Sequence, residues 1–276
     1  MAELSGVHFE YGGISSRLYG LITANADTKR NTQISGEIKG VTVYNKKNQR
    51  RYLVGDDYSD FPISFEIDIV KDDERCLEYH ERREIEKWLF NRHNYQKFYI
   101  DLEDDDCGET SELVDGVQKR LYLNCRFVDP KRLEYFGGVI GYTATLEADS
   151  GMWWQDTIKK TFEFENTDAS SENEIIINTD TDLDDYIYPT VAVYSGANES
   201  TVTITNLSDS EDRNTSVHMY SGSTVTFDSE INYVSGGQYS AMTERNFPRL
   251  LDGENRIVVK GSVSKIVFQF QNRRAL

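Results

Sequence analysis

Phe247-Pro248-Arg249-Leu250-Leu251-Asp252-Gly253-Glu254-Asn255-Arg256-Ile257 opens the stretch whose reading decides the fold, and Asn272-Arg273-Arg274 closes it. Proline fixes the backbone entering a turn, glycine takes a positive φ without strain, and the short asparagine amide can cap a turn before a strand. Pro248, Gly253 and Asn255 therefore predict a turn that feeds the strand Ile257-Val258-Val259. Further on, Ile266, Phe268 and Phe270 recur at every second position, the period of a strand with one buried face.

The same pattern extends upstream. Val202/Ile204 and Val225/Phe227 alternate in short β-rich runs, and Ser195-Gly196, Ser221-Gly222, Gly236-Gly237 and Asp252-Gly253 supply turns between them. From Lys159 onward no segment has the helical period, so the second half reads as a β-sandwich. The run from Asp156 to Asp185, with ten acids against two bases, together with Ser150-Gly151, marks the junction between two domains, residues 1–150 and 151–276. A chain of 276 residues exceeds the common single-domain size, and two domains of roughly 130 residues each would both bury a proper core.

The first half mixes strand and helix. Val7-His8-Phe9-Glu10-Tyr11 runs into the Gly12-Gly13 turn, and Phe61, Ile63, Phe65, Ile67 and Ile69 fall on one face of a strand with period 2. Asp72-Asp73-Glu74 supplies an acidic helix start, and Leu77, Ile85, Trp88 and Leu89 share one helical side, which predicts one helix over about 73–91. Further strands are expected at Lys97–Ile100, Leu121–Phe127 and Val139–Leu146, with the acidic Glu103–Glu109 segment as a loop. Between Gly20-Leu21-Ile22 and Gly40–Tyr44 lies a polar stretch, and the basic run Lys46–Arg51 follows, the pattern of a long protruding hairpin.

Bulk composition excludes several classes of function. Hydrophobic residues make up 38% of the chain, enough for a folded protein with a charged surface. No run approaches the ~18 apolar residues of a membrane span, and the N-terminus has neither the basic start nor the apolar core of a signal peptide, so a protein that remains where it is translated is expected. The net charge of −17 argues against DNA binding, which draws its affinity from Lys and Arg, yet it suits the lining of a passage to which DNA must not adhere.

Candidate chemistry is sparse. Cys76, Cys107 and Cys125 are odd in number and widely spaced, as expected of reduced, buried thiols. His8, His80, His93 and His218 lack metal-ligand spacing. Asp180-Thr181-Asp182-Leu183-Asp184 imitates the start of a calcium loop but has Asp185 at the sixth position and Val191 at the twelfth, where glycine and glutamate belong. Carboxylates are too abundant for any pair to be singled out, and no nucleophile elbow or phosphate cradle occurs. Trp153-Trp154 offers either a sugar-stacking platform or the filling of a domain interface. No catalytic, cofactor-binding or metal-binding residue is nominated, no cofactor is expected, and the chain does not read as an enzyme.

Taken in order, Phe9-Glu10-Tyr11-Gly12-Gly13-Ile14-Ser15-Ser16, Gly20-Leu21-Ile22, Phe61-Pro62-Ile63-Ser64-Phe65, Ile85-Glu86-Lys87-Trp88-Leu89 and the stretch from Phe247 to Arg274 resemble, from end to end, the distal tail proteins of phages with long non-contractile tails that infect Gram-positive hosts. The resemblance implies a mainly β fold in two domains. The first would be a split-barrel, tail-tube-like β domain with one α-helix, and the second a galectin-like β-sandwich. It implies a homo-hexameric ring stitched by an extended hairpin, for which residues 25–52 are suited.

The resemblance further implies a virion protein of the tail tip or baseplate, made in the host bacterial cytoplasm. Its partners would be the major tail tube protein, the tape-measure end, the tail-associated hub protein and receptor-binding proteins, with DNA passing through the ring unbound and no membrane contact. Sugar binding does not follow from a galectin-like shape. Some family members carry inserted carbohydrate-binding domains, and no comparable insertion is evident here. Two competing functions remain to be separated from this one: a carbohydrate-binding module for host adhesion, and a wall-degrading enzyme.

Overall fold

The computed structural model describes residues 7–24, 36–37, 39–45, 50–57, 62–73, 75–101, 111–114, 117–182, 185–209, 213–236 and 242–275. Phe61, Glu74, Gly237, Cys107, the Glu103–Glu109 loop and most of the polar stretch before Lys39 lie outside these residues. Two compact units emerge, Met1–Trp154 with Arg274–Leu276, and Gln155–Arg273.

In the first unit the strands are β1 (His8–Tyr11), β2 (Ile14–Ser15), β3 (Leu21–Ala24), β4 (Lys39–Asn45), β5 (Arg50–Asp57), β6 (Ser64–Lys71), β7 (Gln96–Asp101), β8 (Ser111–Val114), β9 (Val117–Tyr135) and β10 (Gly138–Ala148), and β11 (Trp153–Gln155) follows. An antiparallel sheet runs in the order β2-β1-β7-β9-β10-β6-β3. The alternation read around β6 has the expected result: Ile63, Ile67 and Ile69 are buried, and Phe65 packs against the same core. Asp68 breaks the pattern by being buried as well, and the Thr143 hydroxyl, its cross-strand neighbour, donates to its carboxylate.

Gly141 shows why β10 needs a residue without a side chain. It sits where the β9–β10 register shifts, and a Cβ there would lie 2.2 Å from the Ile69 carbonyl oxygen. Gly141→Ala should destabilise this unit by about 1–3 kcal/mol, the range for forcing extra volume into a packed interior, and denaturant unfolding will measure it.

The helix α1 spans Tyr79–Leu89, shorter at its start than the 73–91 expected. The Asp73 carboxylate is engaged locally, accepting from the Arg75 backbone N–H at 3.2 Å and its Nε at 2.6 Å, which holds this carboxyl below the usual range. Leu77 is buried ahead of the helix, its N–H donating to the Val139 carbonyl at 2.7 Å. Glu81 then serves the helix start by accepting from the Glu78 N–H at 2.9 Å. Ile85, Trp88 and Leu89 form the buried stripe; Trp88 stacks on Phe9 at 5.8 Å and donates from Nε1 to the Tyr11 carbonyl at 2.9 Å.

Glu81 also accepts from Lys71 Nζ at 2.9 Å, and its pKa is lowered first by the Glu78 amide and then by Lys71. A carboxyl with a depressed folded-state pKa stabilises above the ordinary glutamate range and loses that contribution as pH falls through its folded value. Glu81→Gln should therefore cost about 1 kcal/mol at pH 7, and its Tm deficit relative to the parent should shrink toward zero in strong acid.

In the second unit the strands are β12 (Ile158–Glu163), β13 (Glu172–Thr179), β14 (Thr190–Ser195), β15 (Ser200–Asn206), β16 (Asn214–Met219), β17 (Thr224–Asp228), β18 (Tyr233–Ser235), β19 (Met242–Arg245), β20 (Gly253–Lys260) and β21 (Val263–Phe270). They form two five-stranded sheets, β12-β21-β14-β17-β18 and β13-β20-β15-β16-β19. Val202, Ile204, Val225, Phe227, Ile266, Phe268 and Phe270 are all buried, which is the sandwich core anticipated from their spacing. Where the chain enters and leaves this unit, the Gln155 N–H donates to the Asn272 carbonyl at 3.0 Å, and the Asn272 amide donates to Gln155 Oε1 at 3.0 Å.

The turn in the quoted stretch forms as its residues demand. Gly253 has φ +86°, a conformation that costs any residue bearing a Cβ. Asn255, fully buried, accepts from the Leu251 N–H at 2.8 Å and donates to the Leu251 and Gly253 carbonyls at 2.9 and 3.2 Å. Arg249 clamps Asp209 through two hydrogen bonds of 2.7 and 3.0 Å, with its guanidinium 3.6 Å above the Tyr186 ring.

Candidate functional site

Among the described residues of the first unit, exposed apolar side chains stand together on one ribbon and at one hairpin tip. Strands β4 and β5 pair only with each other among the described residues, in a two-stranded sheet with a register shift at Val41/Thr42. Val43, Leu53 and Val54 on this ribbon are 56%, 65% and 66% exposed, and Val41 and Tyr52 are exposed too. An isolated ribbon is at best marginally stable in water, so one that displays five large apolar residues is shaped for burial against something else.

The second place is the tip of the long β9–β10 hairpin. Tyr135 is exposed and Phe136 is 94% exposed, their rings edge to face at 4.4 Å. Phe136 has φ +47°, an uncommon conformation for a residue with a side chain. The sequence Tyr135-Phe136-Gly137-Gly138 marks this tip by an aromatic pair before two glycines, just ahead of the strand expected at Val139–Leu146.

The residues weighed for chemistry stand apart from one another. His8 contacts the Leu21 carbonyl at 2.9 Å and Ser16 Oγ at 3.4 Å, His80 pairs with Glu78 at 3.3 Å, and His218 pairs with Glu199 at 2.8 Å beside the Tyr220 ring; His93 is exposed. Cys125 is buried and its thiol is pushed up by that burial, whereas Cys76 is exposed, contrary to the expectation of buried thiols. In the extended run before α1 successive side chains alternate, so Cys76 points outward where Leu77 points into the core.

Thr181 and Asp182 have their backbone N–H groups engaged by Asp252 Oδ1 and the Arg273 carbonyl, both at 2.9–3.0 Å, while Leu183 and Asp184 lie outside the described residues. Trp153 is buried in the core of the first unit, 6.4 Å from Phe98, and so presents no face to a sugar; Trp154 is half-buried. Among the described residues no three His, Cys, Asp or Glu side chains are placed to share a metal ion, and no helix is long and apolar enough to cross a membrane. What the geometry offers is apolar docking surface.

The family model for a phage tail protein N-terminal domain matches residues 4–150, and that for a phage tail C-terminal domain matches residues 154–270. The Dit protein of phage SPP1, described as a paradigm of the hub adsorption apparatus in phages infecting Gram-positive hosts, superposes with a TM-score of 0.61 at 12% identity, covering 96% of this chain and 98% of its own. The baseplate of phage P2, in its activated conformation with Ca, superposes with a TM-score of 0.48 at 9% identity, covering 98% and 99%. No curated protein sequence matches. The SPP1 likeness extends over both units and shows a shared two-domain, mainly β fold. Matched in both halves and in order, the chain belongs to the phage tail proteins and has the fold of a distal tail protein.

Proposed function

We propose that this tail protein is an assembly hub: six copies form a ring that joins the tail tube and tape-measure end on one side to the tail-associated hub and receptor-binding proteins on the other. The observation that carries the reading is the β4–β5 ribbon, which pairs with no other described strand and displays its apolar residues. In the ring, the ribbon lies against the neighbouring copy and those residues become buried. An N-terminal domain, residues 1–150, forms the ring, and a C-terminal domain, residues 151–276, is a galectin-like sandwich. The work is geometric, with no turnover, and belongs at the tail tip of a virion made in the host cytoplasm.

Six copies carry 6 × −17 = −102 charges, and part of that charge faces the lumen, so that passing DNA is repelled and does not adhere. Light scattering during size-exclusion chromatography tests the assembly: the mass should approach six chains as concentration rises, and a mass that stays at one chain throughout contradicts it. The alternative, a carbohydrate-binding module for host adhesion, loses Trp153 as a platform.

A further inference from the structure

A ring of more than two identical copies needs two different surfaces on each, because a patch that meets only itself stops at a dimer, whereas a head-to-tail contact joins one patch to another and can close. Among its described residues the first unit offers two apolar ones. The β4–β5 ribbon carries Val43, Leu53 and Val54, and the β9–β10 tip carries Tyr135 and Phe136. Exposed aromatic side chains of this kind are enriched where proteins dock.

The tip is braced from below. The Leu77 N–H donates to the Val139 carbonyl at 2.7 Å, and Cys76 lies against Gly138, where an added Cβ would meet its Sγ at 2.2 Å. The run leading into α1 thus crosses the base of the hairpin end, and exposed Tyr79 follows two residues after that contact. With their rings edge to face at 4.4 Å, Tyr135 and Phe136 form a supported apolar knob.

Charge points to a second copy as the occupant. Residues 39–55 hold five bases and no acid, while the rest of the chain sets 47 acids against 25 of the 30 bases. A basic ribbon is drawn to the acidic body of another copy, and apolar contact then fixes where it settles.

We propose that each copy lays its β4–β5 ribbon against the β9–β10 tip of the next, so that Val43, Leu53 and Val54 are buried by Tyr135 and Phe136. The contact rests on the ring reading and adds to it the surface that receives the ribbon.

Thiol cross-linking of the purified full-length protein tests it, in a Cys107→Ser background where exposed Cys76 is the thiol beside the tip and Cys125 is buried. Val43→Cys, Leu53→Cys and Val54→Cys are added one at a time and treated with a short bismaleimide. At least one should give a ladder of covalently joined chains up to six, and Cys76→Ser should abolish it. Tyr220→Cys, exposed on the second unit, should give none. Independently, Tyr135→Ser with Phe136→Ser should weaken assembly about ten-fold or more, with the Tm of the dilute monomer unchanged because both rings stand outside the core. An assembled protein without a ladder, a ladder that survives Cys76→Ser or appears equally with Tyr220→Cys, or assembly indifferent to the tip variant would each overturn the proposal and leave the ring standing. A parent that stays monomeric would remove both.

Discussion

Aspartate at both Leu53 and Val54 should leave the protein monomeric at concentrations where the parent assembles. Both side chains are about two-thirds exposed on a ribbon that no other described strand supports, and burying each against a neighbour would contribute roughly 1.5–3 kcal/mol. Two per contact account for at least a hundred-fold in association, before the cost of carrying carboxylates into an apolar interface. Neither residue belongs to the core that surrounds Trp88, so thermal unfolding of the monomer should be unaffected. Sedimentation velocity reads the outcome, and an undiminished hexamer would move the interface away from the ribbon, with the Tyr135-Phe136 tip the next surface to test.

The second large effect is expected on stability. Arg249 and Asp209 have side chains 9% and 1% exposed, held by two hydrogen bonds, and Arg249→Ala strands the carboxylate without its bidentate partner. Breaking a buried pair from one side costs about 3–5 kcal/mol, enough to shift urea unfolding of the sandwich unit strongly. Replacing both at once, as Asp209→Leu with Arg249→Met, should recover most of that loss, because no charge is then left buried. By contrast, Arg256 and Glu174, paired at 2.6 Å but both about half exposed, should contribute no more than about 1 kcal/mol.

These two pairs show where the sequence was informative and where it was silent. Gly253 and Asn255 could be read because a turn is a local event, set by φ and by an amide two residues away. Ile266, Phe268 and Phe270 could be read because burial on a strand repeats every second residue. Arg249 stands in the same quoted stretch, yet its partner lies 40 residues earlier, and nothing local marks Asp209 among so many acids.

The helix start was misplaced for a related reason. Asp72-Asp73 has the composition of a helix N-terminus, but Asp73 spends its carboxylate on Arg75, and the contact of Leu77 with Val139 holds the chain extended until Glu78. Asp68 inverted the inside–outside rule because Thr143 on the adjacent strand satisfies it.

Electron microscopy of the purified full-length protein tests the assembly claim most directly. Hollow rings with six-fold symmetry are the predicted result, and a field of monomers at high concentration would contradict it.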